Sequence, residues 1–200
     1  TMVESLDDNI TRIVEFLDKT GLRENTIIIF TSDNGQNGRR NDLLRGSKGF
    51  IYEGGIRVPT FINWPGKVAA RRTTTPIHVV DFFPTFMDLA DIKYTGTLDG
   101  ESFTPLFQGE DELLQQRPLF WHLASQWKHG TCLVIRKDHM KLIQFLANGR
   151  LELYDLAADT LEADNLAVKN PELVEPLLRE LTEWRTTHDV PLPPNSPLSH

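Results

Sequence analysis

The segment Leu44-Arg45-Gly46-Ser47-Lys48-Gly49-Phe50-Ile51-Tyr52-Glu53-Gly54-Gly55-Ile56-Arg57-Val58-Pro59 limits what this chain can fold into more than any other. Four glycines, two arginines, a lysine and a glutamate share it with apolar and aromatic side chains, in neither a helical nor a strand period. A free surface loop rarely carries so much apolar content, and a core element rarely carries so much charge. The mixture suits a backbone bent tightly around a polar site, with glycine supplying conformations closed to other residues.

The surrounding pattern places that loop in an α/β setting. Val3, Leu6, Ile10, Ile13, Val14 and Leu17 recur at helical spacing, and Gly21 stands where helices commonly stop. The run Thr26-Ile27-Ile28-Ile29-Phe30 is apolar without alternation, as in a strand covered on both faces, usually in a parallel sheet. Ligands of open α/β sheets gather beyond the carboxyl ends of strands, and Thr31-Ser32-Asp33-Asn34-Gly35 occupies that place. Thr60 to Trp64 reads as a second strand stopped by Pro65-Gly66, and Asp81 as the cap of a helix reaching about Ala90. Beyond Arg117 the pattern changes to short runs, Leu119 to His122, Thr131 to Arg136, Lys141 to Phe145 and Leu151 to Tyr154, which predict a small antiparallel sheet. A last helix opens at Asn170 and Pro171, with Leu173, Val174, Leu177, Leu178, Leu181 and Trp184 on one face.

Bulk properties remove several function classes. A formal net charge of −7 argues against general binding to nucleic acid or anionic membranes, so an anionic substrate needs a local cluster of cations or a metal. The lone cysteine, Cys132, excludes an internal disulfide and speaks against a cysteine-based zinc site. No run approaches the ~20 apolar residues that span a bilayer. The amino terminus carries no signal-peptide pattern, and a helix already under way at Thr1 reads as the carboxyl-terminal part of a longer protein.

Individual residues admit two readings. Asp33 and Asn34 offer a carboxylate and an amide carbonyl, hard oxygen donors suited to Ca²⁺ or Mg²⁺. Taken alone, Asp-Asn-Gly is also a common way to leave a strand. Lys48 is placed to hold an anionic oxygen or to stand in solvent, and Arg45, Glu53 and Arg57 read as an ion-pair network fixing the loop. His78 reads as a core or helix-capping residue, and His122, beside Trp121, as half of an edge-strand pair or as the lining of a sugar or aryl pocket.

The whole string resembles the formylglycine-dependent, arylsulfatase-like sulfatases. The resemblance runs through Thr31-Ser32-Asp33-Asn34-Gly35, Leu44 to Pro59, Trp64-Pro65-Gly66, Asp81-Phe82-Phe83-Pro84-Thr85, Leu98-Asp99-Gly100 and Glu152-Leu153-Tyr154-Asp155-Leu156, with Asp159, Glu162, Asn165 and Leu166 behind it. It implies an alkaline-phosphatase-like fold: part of a mostly parallel α/β sheet over residues 1–108, then a small antiparallel sheet and helix over 109–200. It also implies that Asp33 and Asn34 bind a divalent cation, usually calcium, and that Lys48 contacts the sulfate group. The stretch from Tyr154 to Leu166 is expected to be structural.

The departures from the family pattern matter as much. Sulfatases oxidise a Cys or Ser in a C-x-P-x-R motif to formylglycine. Cys132 is followed by Leu133-Val134-Ile135-Arg136 and reads as a buried thiol, and no Ser-x-Pro-x-Arg occurs. The formylglycine and the remaining metal ligands are therefore expected upstream, in a missing amino-terminal part of the same protein. The expected activity is hydrolysis of a sulfate ester on a small molecule or carbohydrate, with a periplasmic, secreted or lysosomal location implied by the resemblance. Two alternatives remain open: a phosphomonoester or phosphodiester hydrolase of the alkaline-phosphatase-like group, and a catalytically empty binding fragment. The isolated chain is expected to be inactive.

Overall fold

A computed structural model describes residues 1–37, 44–124, 130–194 and 196–198. The first helix, α1 (Met2–Lys19), begins with a capping box, in which Thr1 Oγ1 accepts the Glu4 amide at 3.3 Å and the Glu4 carboxylate reaches back to the Thr1 amine. The apolar stripe read from the sequence lies on this helix but none of it is fully buried: Val3, Leu6 and Ile13 are exposed, and Ile10, Val14 and Leu17 half-buried. Strand β1 (Ile28–Phe30) follows, and the glycine-rich loop beyond it contains the short helix α2 (Glu53–Ile56). The one pairing of β1 among the described residues is antiparallel, with β2 (Phe61–Asn63) in the register Ile29↔Ile62. Trp64 Nε1 donates to the Glu24 carbonyl at 2.9 Å and ties the end of β2 to the turn before β1.

Asp81 does not cap the next helix, α3 (Phe82–Leu89), with its side chain. The carboxylate is buried and accepts the His78 amide at 2.6 Å and the Glu101 amide at 3.1 Å, pinning the Leu98-Asp99-Gly100 segment beside the helix start. Two acceptors on one buried carboxylate satisfy two distant amides, which a local cap cannot do. His78 caps the 3-10 turn Val79–Asp81, with Nδ1 accepting from Val80 at 3.4 Å, in agreement with the capping reading. Two further short helices, α4 (Pro105–Gln108) and α5 (Glu112–Gln115), lead into the rest of the chain.

The chain folds as two compact units, residues 1–32 with 59–111, and residues 33–58 with 112–198 of the described chain. A boundary near residue 108 would leave the Leu44–Pro59 loop with the strand before it. Most of that loop belongs instead to the carboxyl-terminal unit, because its buried side chains find their partners there.

The carboxyl-terminal sheet matches the short runs of the sequence. Strands β3 (Pro118–Leu123), β4 (Cys132–Lys137), β5 (Met140–Phe145) and β6 (Leu151–Asp155) pair antiparallel in chain order. Strand alternation gives the sheet two apolar faces. Leu133, Ile135, Leu142 and Leu153 face α6 (Pro171–Thr187) and meet Val174, Leu177 and Leu181. Cys132, Val134, Ile143, Phe145 and Tyr154 face the loop and meet Ile51 and Tyr52. Full burial of such side chains contributes about 1.5–3 kcal/mol each. Leu173, expected on the buried face of α6, is exposed, while Phe120 stacks on Trp184 with ring centroids 5.0 Å apart. Among the described residues no helix is long and apolar enough to cross a membrane.

Candidate active-site loop

Asp33 and Asn34 sit in the bend that follows β1, and Lys48 sits in the glycine-rich loop. Two main-chain hydrogen bonds join these segments: Gly35 N–H to the Gly55 carbonyl at 2.9 Å, and Lys48 N–H to the Gln36 carbonyl at 3.0 Å. Glycine is required where they meet. A Cβ on Gly35 would lie 2.0 Å from the Gly54 oxygen, and one on Gly55 would lie 2.0 Å from the Phe50 oxygen. The Asp33 and Lys48 side chains are exposed and that of Asn34 half-buried. The sequence-derived site residues thus stand on two backbone segments locked side by side.

Two polar clusters fasten the loop to the sheet. In the first, the Arg45 guanidinium lies over the Tyr52 ring, 3.8 Å from its centroid, and donates to the Tyr154 hydroxyl at 2.8 Å and the Glu162 carbonyl at 2.6 Å. Tyr52 and Tyr154 both donate to Glu152, at 2.8 and 2.9 Å. Burial, reinforced by those bonds to a carboxylate, pushes the Tyr154 phenol up to about 12 and that of Tyr52 higher still.

The second cluster is charged and almost fully enclosed. Lys141 Nζ forms ion pairs with Glu53 Oε1 at 3.0 Å and Glu162 Oε1 at 2.9 Å. All three side chains are buried. Glu162 Oε2 also accepts the Glu53 amide at 2.7 Å. Arg136 approaches Glu53 Oε2 at 3.6 Å and Arg57 at 4.0 Å, so that oxygen has cationic neighbours but no hydrogen bond among the described residues. Burial raises the Glu162 carboxyl above its ordinary range, and burial lowers the Arg136 guanidinium.

The sequence marks Glu53 and Arg57 as a structural ion pair and Tyr154 to Leu166 as structural, and both readings hold. It does not single out Lys141 and Arg136, which are the main partners. The signal was present: Lys141 shares the inward row of β5 with Ile143 and Phe145, where a lysine needs a buried counter-charge. Arg45 works through aromatic rings and a hydroxyl rather than through a carboxylate.

The remaining candidates are structural. Cys132 is buried on the loop-facing side of the sheet, where burial pushes its thiol up to about 11. His122 pairs with Leu133, so it shares the α6 side of the sheet, whereas Trp121 packs on the loop side. Burial lowers the His122 imidazole, and its Nε2 is enclosed without a hydrogen-bond partner among the described residues. Alternation therefore separates the aromatic–histidine pair that reads as a joint pocket lining.

Among the described residues no group of three or more His, Cys, Asp and Glu side chains is arranged to hold a metal ion. The oxygen donors of Asp33 and Asn34 fit a hard cation chemically, but calcium takes about six to eight oxygens. This chain supplies part of such a set.

Comparison with known proteins identifies the family. A family model described as Sulfatase matches residues 1–92, which include the Asp33–Asn34 bend and the whole glycine-rich loop. The N-acetylglucosamine-6-O-sulfatase of Bacteroides thetaiotaomicron is 31% identical over 94% of this chain and 35% of its own length. This chain belongs to the sulfatase family. Among solved structures, Ps i-CgsB in complex with k-i-k-neocarrahexaose superposes with a TM-score of 0.82 at 30% identity, over 92% of this sulfatase chain and 41% of that one. The phosphonate monoester hydrolase of Agrobacterium radiobacter gives a TM-score of 0.69 at 25% identity, over 94% of this chain and 40% of that one. These neighbours share the α/β fold expected from the sequence. The chain spans about two-fifths of the length of the curated relatives it matches.

Proposed function

We propose that this sulfatase chain is part of an enzyme that hydrolyses sulfate esters, with sulfated carbohydrates as the favoured substrate class. The observation that carries this reading is the locked pair of segments bearing Asp33, Asn34 and Lys48 inside a sulfatase-family match. The carbohydrate preference rests on the N-acetylglucosamine-6-O-sulfatase relative and the neocarrahexaose-bound neighbour. A periplasmic, secreted or lysosomal location accompanies the reading by family resemblance.

In this reading the sulfur–oxygen ester bond breaks, the leaving oxygen gains a proton, and water supplies the oxygen that ends in sulfate. Charge spreads over the sulfuryl oxygens during the displacement, so positioned cations do much of the work. The Lys48 ammonium, carried on a backbone fixed by its own amide bond to Gln36, meets a sulfate oxygen or the leaving oxygen. Asp33 and Asn34 hold a calcium ion together with ligands from other parts of the complete protein, and that ion supplies charge stabilisation at a sulfuryl oxygen. The formylglycine nucleophile lies outside these residues, since the chain has no Cys or Ser in the required motif.

Turnover of a chromogenic aryl sulfate and of a 6-O-sulfated glucosamine by the complete protein tests the assignment. Lys48→Ala and Asp33→Ala should each lower kcat/KM by about 10²-fold or more while thermal unfolding stays unchanged, and Asp33→Ala should also weaken calcium binding. The 200-residue chain alone should give no turnover with calcium present. Full activity of either variant would remove the corresponding role. A second reading, phosphonate monoester hydrolysis, is favoured by the Agrobacterium neighbour. It replaces the first if the complete protein turns over a phosphonate monoester faster than either sulfate.

A further inference from the structure

The enclosed trio of Lys141, Glu53 and Glu162 does more than fill space. Its members come from three separate stretches: β5, the glycine-rich loop and the turn after β6. Lys141 lies in a row otherwise made of Ile143 and Phe145, facing Ile51 and Tyr52. A hydrophobic residue there would join the apolar cluster without desolvating a charge. Buried ion pairs commonly match or fall short of apolar replacements in stability, so stability alone is a weak reason for this arrangement.

Directionality is what charge adds. Glycine leaves a loop many accessible conformations, and apolar contacts select among them weakly. The ammonium holds the Glu53 carboxylate at 3.0 Å, and Glu162 holds the amide of the same residue at 2.7 Å, so side chain and main chain of Glu53 are both fixed. Glu53 opens α2, whose Gly55 carbonyl accepts the Gly35 amide next to Asn34. Gly54 N–H bonds the Arg45 carbonyl at 2.7 Å, and Lys48 N–H bonds the Gln36 carbonyl at 3.0 Å, which closes the circuit through Lys48.

We infer that Lys141 is a positioning residue: its ammonium, clamped between Glu53 and Glu162, sets the placement of the Lys48 loop against the Asp33–Asn34 bend. The inference rests on the proposed function only for its kinetic readout.

The test uses the complete protein with two variants, Lys141→Met and the neutral trio Glu53→Gln/Lys141→Met/Glu162→Gln. Thermal unfolding, kcat, KM, and amide hydrogen exchange over residues 33–37, 44–58 and 132–155 are measured. Lys141→Met should raise exchange in the first two segments by about tenfold or more while the sheet residues 132–155 keep wild-type protection. Its kcat should fall by about 10²-fold, the size a small misplacement produces, with a smaller change in KM. The neutral trio removes the uncompensated buried carboxylates but leaves the largely buried Arg136 without Glu53, so it should recover part of the lost thermal stability yet retain fast loop exchange and low kcat. Wild-type kcat and loop protection in a folded Lys141→Met, or recovery of both in the neutral trio, overturns the inference. If Lys141→Met does not fold, the trio decides by the same readouts, and failure of both to fold also overturns it, since the trio then carries the fold rather than the loop. If the wild type hydrolyses no sulfate ester, the proposed function fails while hydrogen exchange still decides the positioning role.

Discussion

Helices α1 and α6 are close in length, at 18 and 17 residues, and both carry an apolar stripe at helical spacing. Their fates differ. Helix α6 buries Val174, Leu177 and Leu181 against the sheet, whereas α1 buries no residue at all. The same contrast separates the strands: Phe30 and Phe61 of the β1–β2 pair are exposed, while β4 and β5 have buried residues on both faces. A periodic stripe states which face of a helix seeks apolar contact. It does not state where the contact comes from, and its energy is realised only when a partner surface arrives.

The largest expected effect tests that contrast directly. Leu181→Ala, at a fully buried position, should destabilise the carboxyl-terminal unit by about 2–5 kcal/mol, whereas Ile13→Ala on α1 should change the stability of the 200-residue chain by about 0.5 kcal/mol or less. Urea unfolding of both variants decides it, and equal losses would erase the distinction between the two helices.

Next in size are two glycines. Gly35→Ala drives a methyl into the Gly54 carbonyl oxygen and should cost about 1–3 kcal/mol, together with loss of protection at the Gly35–Gly55 bond. Gly21 after α1 has φ +70° and nothing within 4 Å of its missing Cβ. Gly21→Ala should therefore cost only the left-handed backbone penalty, about 1 kcal/mol. A cheap Gly35→Ala would show that the two site segments are not packed backbone to backbone.

The units also differ in how they hold carboxylates, and pH separates them. Asp111 lies below its ordinary 3.8, chiefly through its hydrogen bond from Thr73, with Arg71 and Thr75 adding to it. Its stabilisation is present above that ordinary value and is lost as pH falls through the lower folded one. Glu162 is raised above 4.5 by burial, so the folded state holds the proton more tightly than the unfolded chain. Stability is lost there as pH rises from 4.5 through the folded value. Relative to wild type, Glu162→Gln should thus gain stability with rising pH across its window, and Asp111→Asn should lose it across its own. Urea midpoints measured against pH reveal the two opposite slopes, and slopes of the same sign would contradict this account.

The smallest effect concerns Cys132, whose buried thiol should alkylate with iodoacetamide far more slowly in the native protein than in urea. Comparable rates would mean that the loop-facing side of the sheet opens readily.

Several features were legible from local pattern because they depend on neighbours in sequence. The four short strands, the start of α6 at Pro171 and the α1 span all follow from period, turn residues and capping chemistry. The Asp33–Asn34 bend and the Lys48 loop were legible as a candidate site because an unusual mixture of glycine, charge and apolar residues has few structural uses. The anchoring of that site was not legible. Lys141 stands 88 residues from Glu53, and Arg45 stands 109 from Tyr154. A charged residue on an inward strand position announces that it needs a partner without saying which. His122 shows the converse, since adjacency in sequence suggested a shared pocket with Trp121 that strand alternation divides between two faces.

By itself, the sequence determined the elements, the family and the residues able to do chemistry, because propensity, periodicity and motif spacing are local properties of the chain. Only the tertiary structure decided which unit owns the glycine-rich loop, which face of each strand meets it, and which buried charges hold it in place. Those outcomes depend on contacts between residues far apart in the chain, whose strength comes from exclusion of water at a meeting point that exists only after folding.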